Sequence, residues 1–395
     1  MSLVVSVSIM IALAAVMAPL LVLSVQVAAA CRAPKTTTMI AARRPRLAIV
    51  IPAHNEASMV ARTIGNVREQ MLGTDRVVVV ADNCSDDTKS IAQQAGAEVV
   101  LRSEPDRIGK GYALDAGTRY LALRETPEVV IILDADCVLA PGTLSILGRM
   151  CAAQAAPVQA SYTMRSKSGE NSFARIGEFA WRIKSIVRPT GFARLGLPCN
   201  LMGSGMALPW GVVQNSNFAT SHVAEDLLLG IQLALRGSPA CFCPIAHVTS
   251  EFPASRKGQE EQRRRWIHGS LSVAKDYVPS LIAAAIRRRS ISLFALACDL
   301  IIPPLAVLGI SCAAVWTIAF LSYLAGYSYV PLILGTIVVV TMLSVLVVCW
   351  RLCGRDLLGL RELVLLPLHI ATVIRIIADY TLGRRSSWTR TERED

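Results

Sequence analysis

Asp134 and Asp136 stand with one alanine between them at the end of the apolar run Val129 to Leu133. Two carboxylates this close repel each other, and the natural compensation is a divalent cation. Hard oxygen ligands suit Mg²⁺ or Mn²⁺. An ion held there could bridge a diphosphate and neutralise charge developing on it as a leaving group. Acidic pairs in loops are common without any ion, so the pair alone leaves both readings open. Its place at the end of a buried strand favours the metal.

Glu225-Asp226 comes directly before Leu227-Leu228-Leu229-Gly230, the opening of a helix. Carboxylates at a helix N-terminus are favoured by the macrodipole, so the pair can be a stabilised first turn. The chemical reading is a general base taking a proton from an acceptor hydroxyl. Gln262-Arg263-Arg264-Arg265-Trp266 is a basic run closed by an aromatic. It can be a solvated helix face, a nucleic-acid patch, or a cation beside a phosphate with an indole against a sugar ring. Gly203-Ser204-Gly205 is either an ordinary turn or one that lets backbone approach a ligand closely.

The elements that must position these residues alternate. Leu47 to Ile51, Arg76 to Ala81, Glu98 to Leu101 and Val129 to Asp134 are strand candidates. Met59 to Gln70, Asp87 to Ala95 and Gly109 to Leu123 are helical. This βαβα order predicts an α/β fold with a mostly parallel sheet and helices on both faces. Ligands in such sheets bind beyond the carboxyl ends of the strands. The polar segments Pro52 to Glu56, Asp82 to Asp87 and Asp134 to Asp136 fall there. A nicotinamide-type domain would need a GxGxxG turn where Pro52-Ala53-His54-Asn55-Glu56 stands. A P-loop is excluded because Ile108-Gly109-Lys110-Gly111 lacks the upstream glycine and the following Ser or Thr.

The chain of 395 residues is 53% hydrophobic and 17% charged, too apolar to be wholly soluble. Leu3 to Ala30 carries no charge and is long enough to cross a bilayer core of about 30 Å. A cleaved signal peptide is the rival reading, with Ala28-Ala29-Ala30-Cys31 resembling a processing site. No Lys or Arg precedes the run and several follow it, which favours a retained anchor. Two more spans lie within Leu293 to Leu324 and Val330 to Trp350. Asp299 is placed near the interface, ahead of the Pro303-Pro304 break, because a charge deep in lipid is costly. In Leu363 to Tyr380 the residues Glu362, His369, Thr372, Arg375 and Asp379 make a polar stripe at helical spacing, which suggests a helix lying on the membrane surface. The expected domains are an anchor at 1–31, a cytoplasmic globular domain at 40–290, two spans at 291–352, and a surface helix with a basic tail at 358–395.

The net charge of +11 gathers beside the apolar runs, at Arg43, Arg44 and Arg46, at Arg287 to Arg289, and at Arg384 and Arg385. That distribution points to the inner leaflet of a membrane as partner and to a cytoplasmic catalytic domain. Nucleic acid is not expected, since Trp266 is the only aromatic in the arginine run. The eleven cysteines form no CxxC pair and read as reduced, buried thiols.

The ordered set Ile51-Pro52-Ala53-His54-Asn55-Glu56, Asp82-Asn83-Cys84-Ser85-Asp86-Asp87-Thr88, Gly109-Lys110-Gly111, Asp134-Ala135-Asp136, Gly203-Ser204-Gly205, Glu225-Asp226 and Gln262 to Trp266 resembles the family 2 glycosyltransferases of GT-A fold. Within them it looks like the membrane polysaccharide synthases that make cellulose, hyaluronan or poly-N-acetylglucosamine. The resemblance covers Arg46 to Trp266. It implies an inverting, metal-dependent hexosyltransferase with a nucleotide-sugar donor, UDP-linked by preference, and a glycan or lipid-linked acceptor. It places Pro52, Glu56 and Asp82 around the nucleotide, with Asp82 on the base, and Lys110 near the donor. Asp134 and Asp136 would hold the donor diphosphate and Mg²⁺ or Mn²⁺, with Asp136 the direct ligand. Asp226 would be the catalytic base. Glu225, Gln262, Arg265 and Trp266 would hold the diphosphate and the acceptor. Trp388-Thr389-Arg390-Thr391 resembles the gating tail of some synthases. The few spans leave little room for a polymer pore, so accessory export proteins are possible partners. Single-sugar transfer to a lipid acceptor is the alternative, and a non-catalytic synthase subunit is a third reading. The location expected is the inner cell membrane, as a multi-pass protein.

Overall fold

A computed structural model describes residues 2–33, 43–166, 172–253 and 255–384. The Trp388 to Thr391 stretch, Arg385 and the outer edge of the 40–290 domain at 40–42 lie outside them.

The first half builds as the alternation predicts. The strands β1 (Leu47–Ala53), β2 (Arg76–Asp82), β3 (Glu98–Arg102) and β4 (Val129–Ile132) alternate with the helices α2 (Val60–Arg68), α3 (Thr88–Gln94) and α4 (Lys110–Ala122). Leu47 to Ile51 and Val77 to Val80 are buried on both faces, as continuous apolar strands in a covered parallel sheet must be. At the carboxyl ends of β1 and β2 the chain turns through Asn55 and Asn83, both at positive φ, a conformation asparagine tolerates better than most residues. The Asn55 side chain accepts from Ser85 N–H at 2.7 Å and Glu56 N–H donates to Thr88 at 2.8 Å, which locks the two loops together.

The second half is not a simple repeat. It contains β5 (Val138–Leu139), α5 (Thr143–Gln154), β6 (Val158–Arg165), α6 (Ser172–Arg182), a π-helical turn at Ile183–Val187, α7 (Arg188–Arg194), β7 (Met206–Pro209), α8 (Trp210–Gln214), α9 (Glu225–Leu235) and β8 (Cys241–Glu251). The strands join one eight-stranded sheet in the order β3-β2-β1-β4-β7-β6-β8-β5. The pairings of β1 with β2 and β4, β2 with β3, and β6 with β8 are parallel, whereas β7 and β5 enter antiparallel. The fold is a mixed, mostly parallel sheet with helices on both faces and apolar helices beyond it.

The helix α10 (Arg256–Arg288) leaves the sheet, capped by Ser255 accepting from Gly258 N–H at 3.0 Å. There follow α11 (Ile291–Leu300), α12 (Leu305–Leu324), α13 (Val330–Cys353) and α14 (Leu360–Thr381), while α1 (Ser2–Ala30) opens the chain. Four of these, α1, α12, α13 and α14, are long and apolar enough to cross a membrane. The apolar stretch expected as one span from Leu293 is divided at Pro303-Pro304 into α11 and α12, as two successive prolines require.

These helices are fastened to the globular part by specific contacts. A second apolar core joins Leu20 and Leu23 of α1, Cys312 of α12 and Val338 of α13 to Phe179, Ile183 and Val187. Asp299 accepts from Gln26 at 2.6 Å, Arg188 at 2.8 Å and Asn200 at 2.7 Å, so its charge is neutralised inside the protein. The arginines after the first helix likewise have partners in the globular domain: Arg43 pairs with Glu128, Arg44 with Asp75 and Arg46 with Glu125. The polar stripe of α14 also faces protein. Glu362 meets Arg175, His369 lies on Phe173, Arg375 pairs with Glu260 and Asp379 with Arg264.

The first helix packs tightly against Gly191 of α7. A Cβ there would lie 2.0 Å from the Gln26 carbonyl oxygen, with only backbone to yield. Gly191→Ala is therefore expected to destabilise the protein by about 1–3 kcal/mol through overpacking. A melting curve of the detergent-solubilised chain reads this out, and an unchanged Tm would show that α1 does not dock on α7.

Candidate active site

Lys110 is aimed by its neighbours. Gly109 has φ +145°, and Gly111 passes so close to the 218–220 loop that a Cβ would sit 2.5 Å from the Phe218 carbonyl oxygen. The ammonium between these glycines lies 2.5 Å from Asp134, 2.7 Å from the Gly203 carbonyl oxygen and 3.7 Å from Glu225. The Gly203-Ser204-Gly205 turn holds this arrangement. Both glycines have positive φ, and a Cβ on Gly203 would stand 3.1 Å from an Asp226 oxygen. The buried Ser204 hydroxyl accepts from Asp134 N–H at 3.1 Å, and Gly205 N–H donates to the Ile132 carbonyl at 2.9 Å. The turn thus ties the loop after β4 to the first turn of α9.

Asp134, Glu225 and Asp226 lie around Lys110, and Asp136 stands beside Asp134, so four carboxylates share the site with one ammonium. Burial opposes the Lys110 charge, but Asp134 and Glu225 outweigh it, and the lysine pKa is raised. Asp134 is also raised, by burial first; Lys110 pulls it down, and the like charges of Asp136 and Asp226 push it up. Burial thus outweighs the Lys110 ion pair, and the like charges of the neighbouring aspartates act in the same direction as burial. Glu225 is pushed up by burial as well, with Lys110 opposing. Oxygens of Asp134 and Asp136 and the Cys137 sulfur lie within 4.8 Å of one another. Burial and both aspartates hold the Cys137 thiol well above its ordinary range, so it stays protonated and the hard carboxylate oxygens are the available donors. Such a set fits Mg²⁺ or Mn²⁺.

Asp82, at the end of β2, pairs with Arg102 of β3 at 2.5 Å, and the two face each other in the strand register. Burial raises the Asp82 carboxyl despite the Arg102 hydrogen bond. Arg102 also donates to Glu104 and the Arg107 carbonyl, and lies over Tyr112. Arg102→Met leaves a buried carboxylate alone and is expected to cost about 3–5 kcal/mol. Adding Asp82→Asn to that variant is expected to restore most of the loss in a denaturation experiment. A single variant no weaker than a surface substitution would contradict a buried pair.

The basic run on α10 divides by helical direction. Arg264 turns to Asp379, Arg263 lies over Phe173, and Arg265 lines the central cavity. Gln262 is 9% exposed, and Trp266 stacks on Trp181 with ring centroids 4.6 Å apart. Trp181 is fixed in turn by donating to the Tyr162 carbonyl at 3.0 Å.

A cavity of about 790 Å³ collects all these parts. Pro52, Glu56, Asp82, Lys110, Asp134, Asp136, Glu225, Asp226, Gln262, Arg265 and Trp266 all line it. Asp82, Asp136 and Asp226 therefore share one cavity, although 144 positions separate the first from the last. Sequence reasoning missed Arg102, Trp181, Lys184 and Arg188. The Asp82–Arg102 pair needed the strand register, and the other three sit on elements with no motif.

Comparison with known proteins follows the same outline. An uncharacterized protein of Methanocaldococcus jannaschii is 38% identical over 22% of this chain and 34% of its own length. The probable glycosyltransferase YdaM of Bacillus subtilis is 24% identical over 63% of this chain and 61% of its own. The chain thus matches about a third and about three fifths of these two relatives. The mannosyltransferase PcManGT of Pyrobaculum calidifontis, solved in complex with GDP-Man and Mn²⁺, superposes over 96% of this chain and 99% of its own, with TM-score 0.62 and 19% identity. That likeness concerns the fold. The sequence pattern described as glycosyltransferase like family 2 matches residues 45–269, more than half of the chain, and the protein belongs to that family.

Proposed function

We propose that the protein is an inverting, metal-dependent hexosyltransferase acting at the cytoplasmic face of the cell membrane. It moves a sugar from a nucleoside-diphosphate sugar, UDP-linked by the resemblance to synthases, to a glycan or lipid-linked acceptor in polysaccharide biosynthesis. The observation that carries this reading is the convergence of four carboxylates and one lysine in a single cavity at the carboxyl ends of the strands. The Mn²⁺ and GDP-mannose of the Pyrobaculum enzyme lend it support through a shared fold.

In this reading the acceptor hydroxyl oxygen forms a bond to the anomeric carbon as the bond from that carbon to the diphosphate oxygen breaks. The diphosphate leaves with the electron pair. Asp226 takes the hydroxyl proton. Pro52, Glu56 and Asp82 hold the nucleotide, and Lys110 and Asp134 position the diphosphate. Asp136 is the direct metal ligand, and the bound Mg²⁺ or Mn²⁺ supplies positive charge to the leaving group. Glu225, Gln262, Arg265 and Trp266 hold the diphosphate and the acceptor sugar.

The membrane arrangement belongs to the same proposal. The first helix anchors the chain, α12 and α13 span, and α14 lies along the cytoplasmic surface. Its charged stripe meets the globular domain, while Val364 and Leu368 remain exposed on its apolar side. Accessory export proteins are partners if the product is a polymer.

Incubating membranes that contain the protein with Mn²⁺ and a panel of nucleotide sugars tests this reading. One donor should be consumed with release of its nucleoside diphosphate and appearance of the sugar in a lipid-soluble or polymeric product. Release from none of them would remove the transferase assignment.

A further inference from the structure

The cavity does not end at the carboxylates. Its lining also has an aliphatic arm, made of Leu271 of α10, Ile302 and Pro303 of the α11–α12 linker, Leu305 of α12 and Val373 of α14. Both α12 and α14 are long and apolar enough to cross a membrane. One cavity is therefore lined both by the carboxylate cluster and by residues of these apolar helices.

Two cations stand on its wall without a carboxylate partner among the described residues. Lys184, presented by the π-helical turn, lies over the Trp181 ring at 5.6 Å and feels the negative charge of Asp226 from a distance. Arg263 lies over Phe173 at 5.3 Å, and its Nη1 is buried with no hydrogen-bond partner. His369 packs against the same Phe173 ring, is 5% exposed, and has an unpartnered Nδ1. Lys184 and Arg263 both line the cavity. Burial lowers Lys184 and brings Arg263 down to about 10, outweighing the opposing charges of Asp226 and Asp299 on the one and of Glu260 on the other. Each of the other buried cations here has its carboxylate: Arg44 has Asp75, Arg102 has Asp82, and Arg188 has Asp299.

An unpaired buried cation is expensive unless a ligand brings the anion. Resting on the transferase reading above, we propose that the acceptor is a sugar carried on a lipid phosphate or diphosphate. Its reacting hydroxyl lies at Asp226, its phosphate meets the unpaired cations of the cavity wall, Arg263 foremost, and its apolar tail lies along the aliphatic arm formed by α10, α12 and α14. The transferred sugar leaves the nucleoside diphosphate and joins that hydroxyl, whose proton passes to Asp226. The phosphate of the acceptor is bound and not consumed. A growing glycan suits the arm less well, because sugar faces are gripped by aromatic rings and polar groups, and this wall is aliphatic. A free sugar phosphate would satisfy the cations and leave the arm without an occupant.

The test uses the full chain in detergent with the donor it consumes. Three acceptors carry the same sugar: a prenyl diphosphate, an uncharged alkyl glycoside, and a sugar phosphate without a tail. The prenyl diphosphate should exceed each of the others in kcat/KM by about tenfold or more, as charge-assisted contacts and tail burial both require. Arg263→Gln should shrink the preference over the alkyl glycoside about tenfold, chiefly through KM. Because the readout is a ratio within one preparation, general loss of activity does not mimic it. Arg263→Lys, which keeps the charge, should retain part of the preference. Equal use of the alkyl glycoside by the wild-type protein, or equal use of the tailless phosphate, overturns this acceptor while leaving the transferase reading intact. Absence of nucleoside diphosphate release from every donor overturns both.

Discussion

Asp226→Asn is expected to lower kcat by about 10²–10⁴ while nucleotide-sugar binding is retained. Asn keeps the shape of the side chain and an oxygen able to accept from Leu227 N–H, a bond Asp226 makes at 2.8 Å. It cannot take a proton from an acceptor hydroxyl. The substitution also removes one of the carboxylates crowded around Lys110, so the variant should melt no lower than the wild-type protein and with less repulsion could melt higher. Loss of turnover together with undiminished Tm separates a chemical role from a structural one. Full turnover by the variant would take the base role away from Asp226.

Asp136→Ala is expected to lower kcat/KM by about 10²–10³, the scale of charge stabilisation a divalent ion gives a leaving diphosphate. Asp136 sits on the short loop between β4 and β5, where its oxygens and those of Asp134 approach each other. Asp134 is engaged by Lys110, and Asp136 is the direct ligand that the family resemblance implies. Chelation of divalent cations should bring the wild-type rate to the level of the variant, and the variant should respond little to chelation. A variant that keeps the wild-type rate and its response to Mn²⁺ would refute the ligand assignment.

Much of the site could be read from the sequence because its residues mark the ends of regular elements. Asp82 and Asp134 follow valine- and isoleucine-rich strands whose burial is continuous, so their place at one sheet edge follows from the parallel order. Glu225 and Asp226 open a helix, as the leucine run after them indicates. What the sequence concealed depends on direction and register. The pairing of Asp82 with Arg102 exists because β2 and β3 align with a particular offset. Arg263, Arg264 and Arg265 differ by about 100° each around α10, and that rotation sends Arg264 to Asp379 while Arg263, over Phe173, and Arg265 line the cavity. Lys184 depends on a π-helical turn, which hydrophobic periodicity does not signal. The stripe on α14 was visible, but whether it faced lipid headgroups or protein was not, since periodicity gives a face and not its partner. Similarly, Arg43, Arg44 and Arg46 are as compatible with anionic lipid as with the carboxylates they meet. The antiparallel entry of β5 and β7 was hidden by their length, two and four residues, too short for an alternating pattern to declare itself.

The sharpest test of the account is where a divalent ion settles. Electron paramagnetic resonance of Mn²⁺ titrated into the full chain with a nucleoside diphosphate should show one bound ion, lost in Asp136→Ala and kept in Asp226→Asn. Mn²⁺ bound with undiminished affinity by the Asp136 variant would contradict the account.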